Sequence, residues 1–206
     1  FTISSEAAVM INLDKDVTVY EKNPNKKMYP ASLTKIMTAL IVLDNVEDLD
    51  NTVYEAPLVV FDELYGQGAS SVGIERGEEV TVTDLMYSLL LKSACESAGI
   101  LAYHVGGESI SNFVDMMNAK IAELGCTESH FANPSGLNND DQVVTAYDMT
   151  KIAAAAYSYP KLLEISSAKS WKVGPTTNNP DGASVRNEHR LVITEDTSSE
   201  YYCPEA

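Results

Sequence analysis

Apolar and polar positions change their period several times along this chain, and each change marks an element. Between Ala7 and Asn23 they alternate, which predicts strands over residues 9–13 and 17–21 around a turn at Asp14-Lys15-Asp16. From Ile36 to Leu43 the residues are apolar on nearly all sides, as expected of a helix buried in the middle of a core. A looser acidic stretch over 47–50 and a glycine-rich segment over 66–73 read as loops. Thr83 is placed to cap a helix through Leu85, Met86, Leu89 and Leu90 that breaks near Lys92-Ser93. A second helix is predicted over about 96–105, closed by Gly106-Gly107. Ser109 begins a third, with Phe113, Val114, Met117, Ile121 and Leu124 at three- and four-residue spacing up to Gly125, a stripe that core packing explains. Thr145-Ala146-Tyr147-Asp148 resembles a capping box and opens a helix to about Tyr157, with a shorter one after Pro160. Alternation returns over 170–173 and 190–194, so strands stand at both ends with helices between them.

With 206 residues, 45% of them hydrophobic, the chain can bury one sizeable core, as a single domain or two closely packed lobes. No stretch approaches the roughly 20 apolar residues of a membrane span. The start at Phe1 has no charged and apolar leader, so any export signal is expected to have been removed. A net charge of -16 argues against nucleic acid or an anionic membrane as partner. Cys95, Cys126 and Cys203 lack paired close spacing, and His104, His130 and His189 are dispersed. Neither a metal site nor another cofactor is expected.

Candidate chemistry sits at the start of the buried helix, in Ser32-Leu33-Thr34-Lys35 behind Tyr29-Pro30-Ala31. Three residues apart on a helix, Ser32 and Lys35 share a face, and a hydroxyl and an amine there can share a proton. Pro30 sets the helix start at about Ser32, where unpaired N–H groups suit an oxyanion and disfavour a charged ammonium. A partly buried Lys35 could then act as a base. The spacing alone does not select this site, because Ser158…Lys161 and Ser166…Lys169 satisfy it too, and a surface serine and lysine on an ordinary helix is the plainer reading of any single match. Only Ser32 opens a long apolar helix.

Read as a block, residues 29–40 resemble the serine-type D-Ala-D-Ala carboxypeptidases, the low-molecular-mass penicillin-binding proteins. The hairpin with Tyr20-Glu21-Lys22-Asn23, the segment 84–93, and His130-Phe131-Ala132-Asn133-Pro134-Ser135-Gly136-Leu137 followed by Thr145-Ala146-Tyr147-Asp148 fall in family order. The resemblance covers most of residues 7–165. It implies an α+β fold of the β-lactamase/DD-peptidase kind, an antiparallel sheet from both chain ends packed on helices. The sheet lobe would take about residues 1–62 and 150–206, the helical lobe about 63–149, and the cleft between them would expose Ser32.

The family places three motifs around one cleft: Ser-x-x-Lys, Ser-x-Asn and Lys-Thr-Gly. Ser93-Ala94-Cys95 stands at the second, so the resemblance makes Ser93 a proton relay and Cys95 the substrate-binding position, with a thiol where an asparagine is expected. A thiol is a weak donor and weak acceptor, so substrate positioning there is weakened. No histidine lies near Cys95 in sequence, and a buried thiol is usually inert packing rather than a rival nucleophile. No Lys-Thr-Gly occurs, and the family would place it just beyond Ala206. The C-terminal strands are therefore expected to be missing from a truncated, cleaved or incompletely represented protein.

The implied function is an exported, extracytoplasmic carboxypeptidase that removes the terminal D-alanine of peptidoglycan stem peptides through an acyl-enzyme and is blocked by β-lactams. Cys95 and the missing motif keep a non-catalytic peptidoglycan-binding homologue open. A class A β-lactamase is the third reading, against which no glutamate stands at the Glu-x-x-Leu-Asn offset before Leu137-Asn138. His189 in Asn187-Glu188-His189-Arg190 is near where relatives carry a cleft segment, but reads more simply as a solvated loop.

Overall fold

The computed structural model describes residues 3–189. The first alternating stretch forms β1 (Ala8–Asn12) and β2 (Val17–Lys22), paired antiparallel with a register shift between Met10 and Ile11. Asp16, at φ 50°, supplies the left-handed turn residue. One turn of 3-10 helix, Ala31–Leu33, leads into α1 (Thr34–Asn45), whose buried positions include Met37, Thr38, Ala39, Leu40, Ile41 and Val42. The all-round apolar pattern has the predicted consequence: α1 packs against α3 (Val82–Leu91), α4 (Cys95–Val105), α5 (Ile110–Glu123) and α6 (Ala146–Tyr157).

Three elements have no counterpart in the sequence pattern: α2 (Leu58–Leu64), and β3 (Val53–Glu55) paired antiparallel with β4 (Glu79–Thr81). Two of the three expected caps form where the pattern puts them. Ser109 accepts from the Asn112 N–H at 3.2 Å and Thr145 from the Asp148 N–H at 3.0 Å. For α3 the cap is Thr81, accepting from the Asp84 N–H at 3.1 Å, while Thr83 lies inside the helix and donates to Asp50. The chain leaves extended backbone at Thr81, two residues earlier than expected, because β4 runs directly into the helix.

Helix α7 (Pro160–Ser167) leads to β5 (Ser170–Val173), which pairs antiparallel with β6 (Ala183–Arg186). This hairpin is fastened to α3. Trp171 stacks on Tyr87 at 3.8 Å between ring centroids and donates its Nε1–H to Asp84 at 2.6 Å, and the Gly174 N–H reaches the other Asp84 oxygen at 3.1 Å. Among the described residues the strands form three two-stranded ladders, so the hairpins from the two ends are not one continuous sheet there. The strand expected over 190–194 and Cys203 lie outside the described residues. Cys95 and Cys126 are free and buried, and burial raises the Cys126 thiol to about 11.

Candidate active site

Ser32 sits exposed on the 3-10 turn rather than in the α-helix, because Ala31 enters with φ 47° and α1 begins only at Thr34. In this turn the Leu33 N–H donates to the Pro30 carbonyl at 3.2 Å and the Thr34 N–H to the Ala31 carbonyl. One turn on, Lys35 is 3% exposed, with its Nζ 3.5 Å from Ser32 Oγ. The other two Ser-x-x-Lys matches do not build such a site. Ser158 and Ser166 donate to the carbonyls of Ala155 and Leu163, and Lys161 pairs with Glu164 at 2.9 Å.

The break between α3 and α4 carries the next group. Ser93 adopts φ 58°, a left-handed conformation rarely taken by a residue with a side chain, and its Oγ donates to Ser32 Oγ at 2.9 Å. Strain of this kind is held at sites where the rest of the fold imposes it. Two residues later, at the start of α4, Cys95 is buried with its Sγ 3.5 Å from Lys35 Nζ and 3.8 Å from the Ser93 carbonyl oxygen. The four residues singled out from the sequence thus form one run of contacts, Ser32 and Cys95 at the Lys35 amine and Ser93 on Ser32, although they come from two segments about sixty positions apart.

A fifth participant has no counterpart in the sequence pattern. Lys35 Nζ donates to the Ser135 carbonyl at 2.5 Å, its shortest contact. The turn that presents this carbonyl is wired internally: Asn133 Oδ1 accepts from the N–H groups of Ser135 (3.2 Å) and Gly136 (2.8 Å). Gln142 Oε1 accepts from the N–H groups of Ala132 and Asn133, and Thr38 Oγ1 on α1 donates to the Pro134 carbonyl at 2.7 Å. Gly136, at φ 85°, lies so close to the 3-10 turn that a Cβ would fall 1.9 Å from the Ala31 carbonyl oxygen. The residues Asn-Pro-Ser-Gly announce a turn, but which carbonyl such a turn aims at an amine leaves no mark in residue type.

Burial pushes the Lys35 amine below the ordinary lysine range; Cys95 and Glu96 act the other way. A lysine so placed is closer to losing its proton at neutral pH than a solvated one. Space for a reacting molecule lies along the pair, and a second cavity opens on the Cys95 side. A cavity of about 160 Å³ is lined by Cys95, Asn133, Ser135 and Asn138, and a groove of about 360 Å³ by Ser32, Lys35, Leu89, Leu90 and Ser93. His189 is exposed, its N–H donating to Asn187 Oδ1, and no contact to the cleft residues accompanies it among the described residues.

Comparison with known proteins agrees with this geometry. The family model described as D-alanyl-D-alanine carboxypeptidase matches residues 1–200. The D-alanyl-D-alanine carboxypeptidase DacB2 of Mycobacterium tuberculosis is 33% identical over 165 residues, covering 79% of this chain and 54% of the relative. DacF of Bacillus subtilis is 30% identical over 162 residues, covering 79% of this chain and 41% of its own. The chain spans about half the length of the curated relatives it matches. Among solved structures, the DD-transpeptidase of Streptomyces K15 superposes with a TM-score of 0.85 at 27% identity, over 95% of this chain and 78% of that one. That transpeptidase has also been solved with a serine replaced by alanine, and with a cysteine two positions further on replaced by asparagine, the spacing of Ser93 and Cys95 here. A family match along nearly the whole sequence, joined to a serine and a buried lysine at hydrogen-bonding range, leaves one assignment: the chain belongs to the peptidase S11 family of D-alanyl-D-alanine carboxypeptidases.

Proposed function

We propose that this chain carries the acylating site of a serine D-Ala-D-Ala carboxypeptidase acting on peptidoglycan stem peptides. The observation that carries the reading is the convergence of Ser32 Oγ, Lys35 Nζ and Ser93 Oγ within 3.5 Å contacts at the edge of an open cleft. Lys35 in its neutral form takes the Ser32 proton as Oγ attacks the carbonyl between the two terminal D-alanines. The oxygen that gains charge faces the N–H of Ser32. Collapse of the tetrahedral intermediate breaks the C–N bond, and the proton passes from Lys35 through Ser93 to the leaving amine, releasing D-alanine. Water then adds to the ester and restores Ser32, with the same groups handling the proton in reverse.

Substrate orientation falls to the Cys95 side of the cleft, where the thiol offers less than an amide would, so affinity for the peptide is expected to be modest. A Ser-x-Cys spacing in a DD-transpeptidase supports the view that a thiol there is compatible with acylation. β-Lactams would acylate Ser32 by the same route. Peptidoglycan lies outside the cytoplasm, so the reading carries with it an exported, secreted protein that trims the cell wall and bears on cell shape. In this reading the cleft divides a sheet-bearing part, about residues 1–62 and 150–206, from a helical part over about 63–149.

Release of D-alanine from a peptide ending in D-Ala-D-Ala tests the reading. It should be measurable for the protein and abolished by Ser32→Ala. Release that survives Ser32→Ala would overturn Ser32 as the nucleophile, and none at all together with tight binding of the peptide would favour the non-catalytic homologue.

A further inference from the structure

The cavity of about 160 Å³ beside Cys95 has a wall that the chemistry above does not use. That wall is α2, the helix without a sequence signature. It rests directly on α4: a Cβ added to Gly99 would lie 2.6 Å from Cγ1 of Val60, so the two helices approach at a position that carries no side chain. Val60 and Leu64 of α2, with Pro134 and Leu137, give the cavity apolar sides, while Cys95 and Ser135 connect it to the Lys35 amine. Polar side chains on the lining include Glu63 and Gln67 from the α2 segment and Asn138 from the loop after Leu137. Of the described lining residues only Glu63 is charged. Its carboxylate has no hydrogen bond or ion pair among the described residues. Packing beside the cavity removes part of its water and raises the carboxyl above the ordinary glutamate value. The residue is still exposed, so it is ionised at neutral pH. A carboxylate that sheds water without gaining a partner is one that a bound cation stabilises.

We propose that Glu63 is a specificity-determining residue of the cleft: the cavity takes an alkyl-ammonium side chain of the peptide, with its methylenes against α2 and the 134–137 turn and its ammonium on the Glu63 carboxylate. The proposal rests on the carboxypeptidase reading and names the kind of side chain that the acyl part of the substrate carries. A cavity of about 160 Å³ holds about six heavy atoms, enough for four methylenes and an ammonium. A purely apolar side chain would desolvate the carboxylate further without pairing it, and an anionic one would be repelled. Contacts of 3.5 Å from Cys95 to Lys35 and from Lys35 to Ser32 put the cavity within about two extended residues of the nucleophile. That reach assigns the side chain to the residue just before the two D-alanines.

Release of D-alanine is compared for Nα-acetyl-L-Lys-D-Ala-D-Ala, whose side-chain amine is free, and for the same peptide acetylated on that amine. The wild type is expected to favour the free amine by about fivefold in kcat/KM, the upper end for a part-exposed ion pair. In Glu63→Gln the preference should shrink to within about twofold, and in Glu63→Lys it should reverse. Asp62→Asn is the control: it removes the neighbouring charge, which stands on the wall of a different cavity with Glu75 and Arg76, and should keep the preference. Attraction by the overall charge of -16 would instead weaken alike in Glu63→Gln and Asp62→Asn. Equal cleavage of the two peptides by the wild type, or an equal loss of preference in those two variants, overturns the proposal. If the wild type cleaves neither peptide, the carboxypeptidase reading fails, and the dissociation constants of the two peptides, measured by NMR on the same protein, still decide the role of Glu63. Tighter binding of the free amine by about fivefold, lost in Glu63→Gln, supports it, whereas equal binding or none overturns it.

Discussion

Replacing Gly136 with alanine drives two backbone segments apart, one carrying the nucleophile and the other the carbonyl that holds the base. At φ 85° an alanine costs about 1–2 kcal/mol against glycine. The added Cβ also meets the Ala31 carbonyl oxygen at 1.9 Å, the Ala31 carbonyl carbon at 2.4 Å and the Ser32 nitrogen at 3.0 Å, all backbone atoms with no rotamer to swing away. Relief needs a separation of about 1 Å, and forcing a methyl into a packed site typically adds about 1–3 kcal/mol. The total of about 2–5 kcal/mol is a large fraction of the roughly 5–15 kcal/mol that holds a domain of this kind together. At this chain length each kcal/mol lowers Tm by about 2–4 °C. Gly107 is the control: its φ is 70°, an added Cβ would meet nothing within 4 Å, and Gly107→Ala should show only the backbone cost of about 1–2 kcal/mol. A displacement of about 1 Å between Ser32 and Lys35 is expected to slow acylation by about 100-fold. The assays are denaturant unfolding followed through Trp171, the single tryptophan, and the rate of labelling by a fluorescent penicillin. Equal stability losses for the two variants, or an acylation rate for Gly136→Ala within about twofold of wild type, would refute the claim that this close approach builds the site.

Three further outcomes follow from the same geometry. Lys35 has its proton affinity lowered by burial in the folded state, so between the folded value and the unfolded-chain value of about 10.4 the unfolded chain binds the proton more readily. The stability of wild type relative to Lys35→Met is therefore greatest above that unfolded value and is lost as pH falls through the lowered one; unfolding midpoints that rise toward low pH would contradict this. Cys95→Asn restores an amide beside Lys35 and should raise kcat/KM on a D-Ala-D-Ala peptide by up to about tenfold, the value of one good hydrogen bond, and a fall would place the thiol in a role of its own. Asp84→Ala strands the Trp171 Nε1–H and the Gly174 N–H under the β5–β6 hairpin, so about 1–3 kcal/mol of stability should be lost in urea unfolding, with the Trp171 emission changing in the native baseline.

How much of the fold and site is legible in the sequence depends on whether a feature has a signature in residue type. The Ser-x-x-Lys pair does, and its placement before an all-apolar helix separates Ser32 from the two decoys, whose serines cap or close their own helices. Ser93 and Cys95 are reached only through a resemblance, since nothing local distinguishes a relay serine from a turn serine. The Ser135 carbonyl has no signature at all: every residue has one, and only the folded turn, locked by Asn133 and Gln142, shows where it points. Helix α2 escapes because its apolar residues run together behind Pro57, too short a stretch to reveal a helical period. Strands β3 and β4 have three residues each, too few for alternation to stand out. The α3 cap lies at Thr81 rather than Thr83 because two threonines two positions apart both fit the pattern, and the strand entering the helix selects the earlier.

The central claim is that Ser32, activated by Lys35, forms an acyl-enzyme. Intact mass of the protein after incubation with benzylpenicillin, followed by peptide digestion, tests it most directly. One penicilloyl group on the peptide that contains Ser32, absent from Ser32→Ala and strongly reduced in Lys35→Met, is the predicted result. An adduct on Cys95 in its place, or a Ser32 peptide that remains unmodified, would contradict the account.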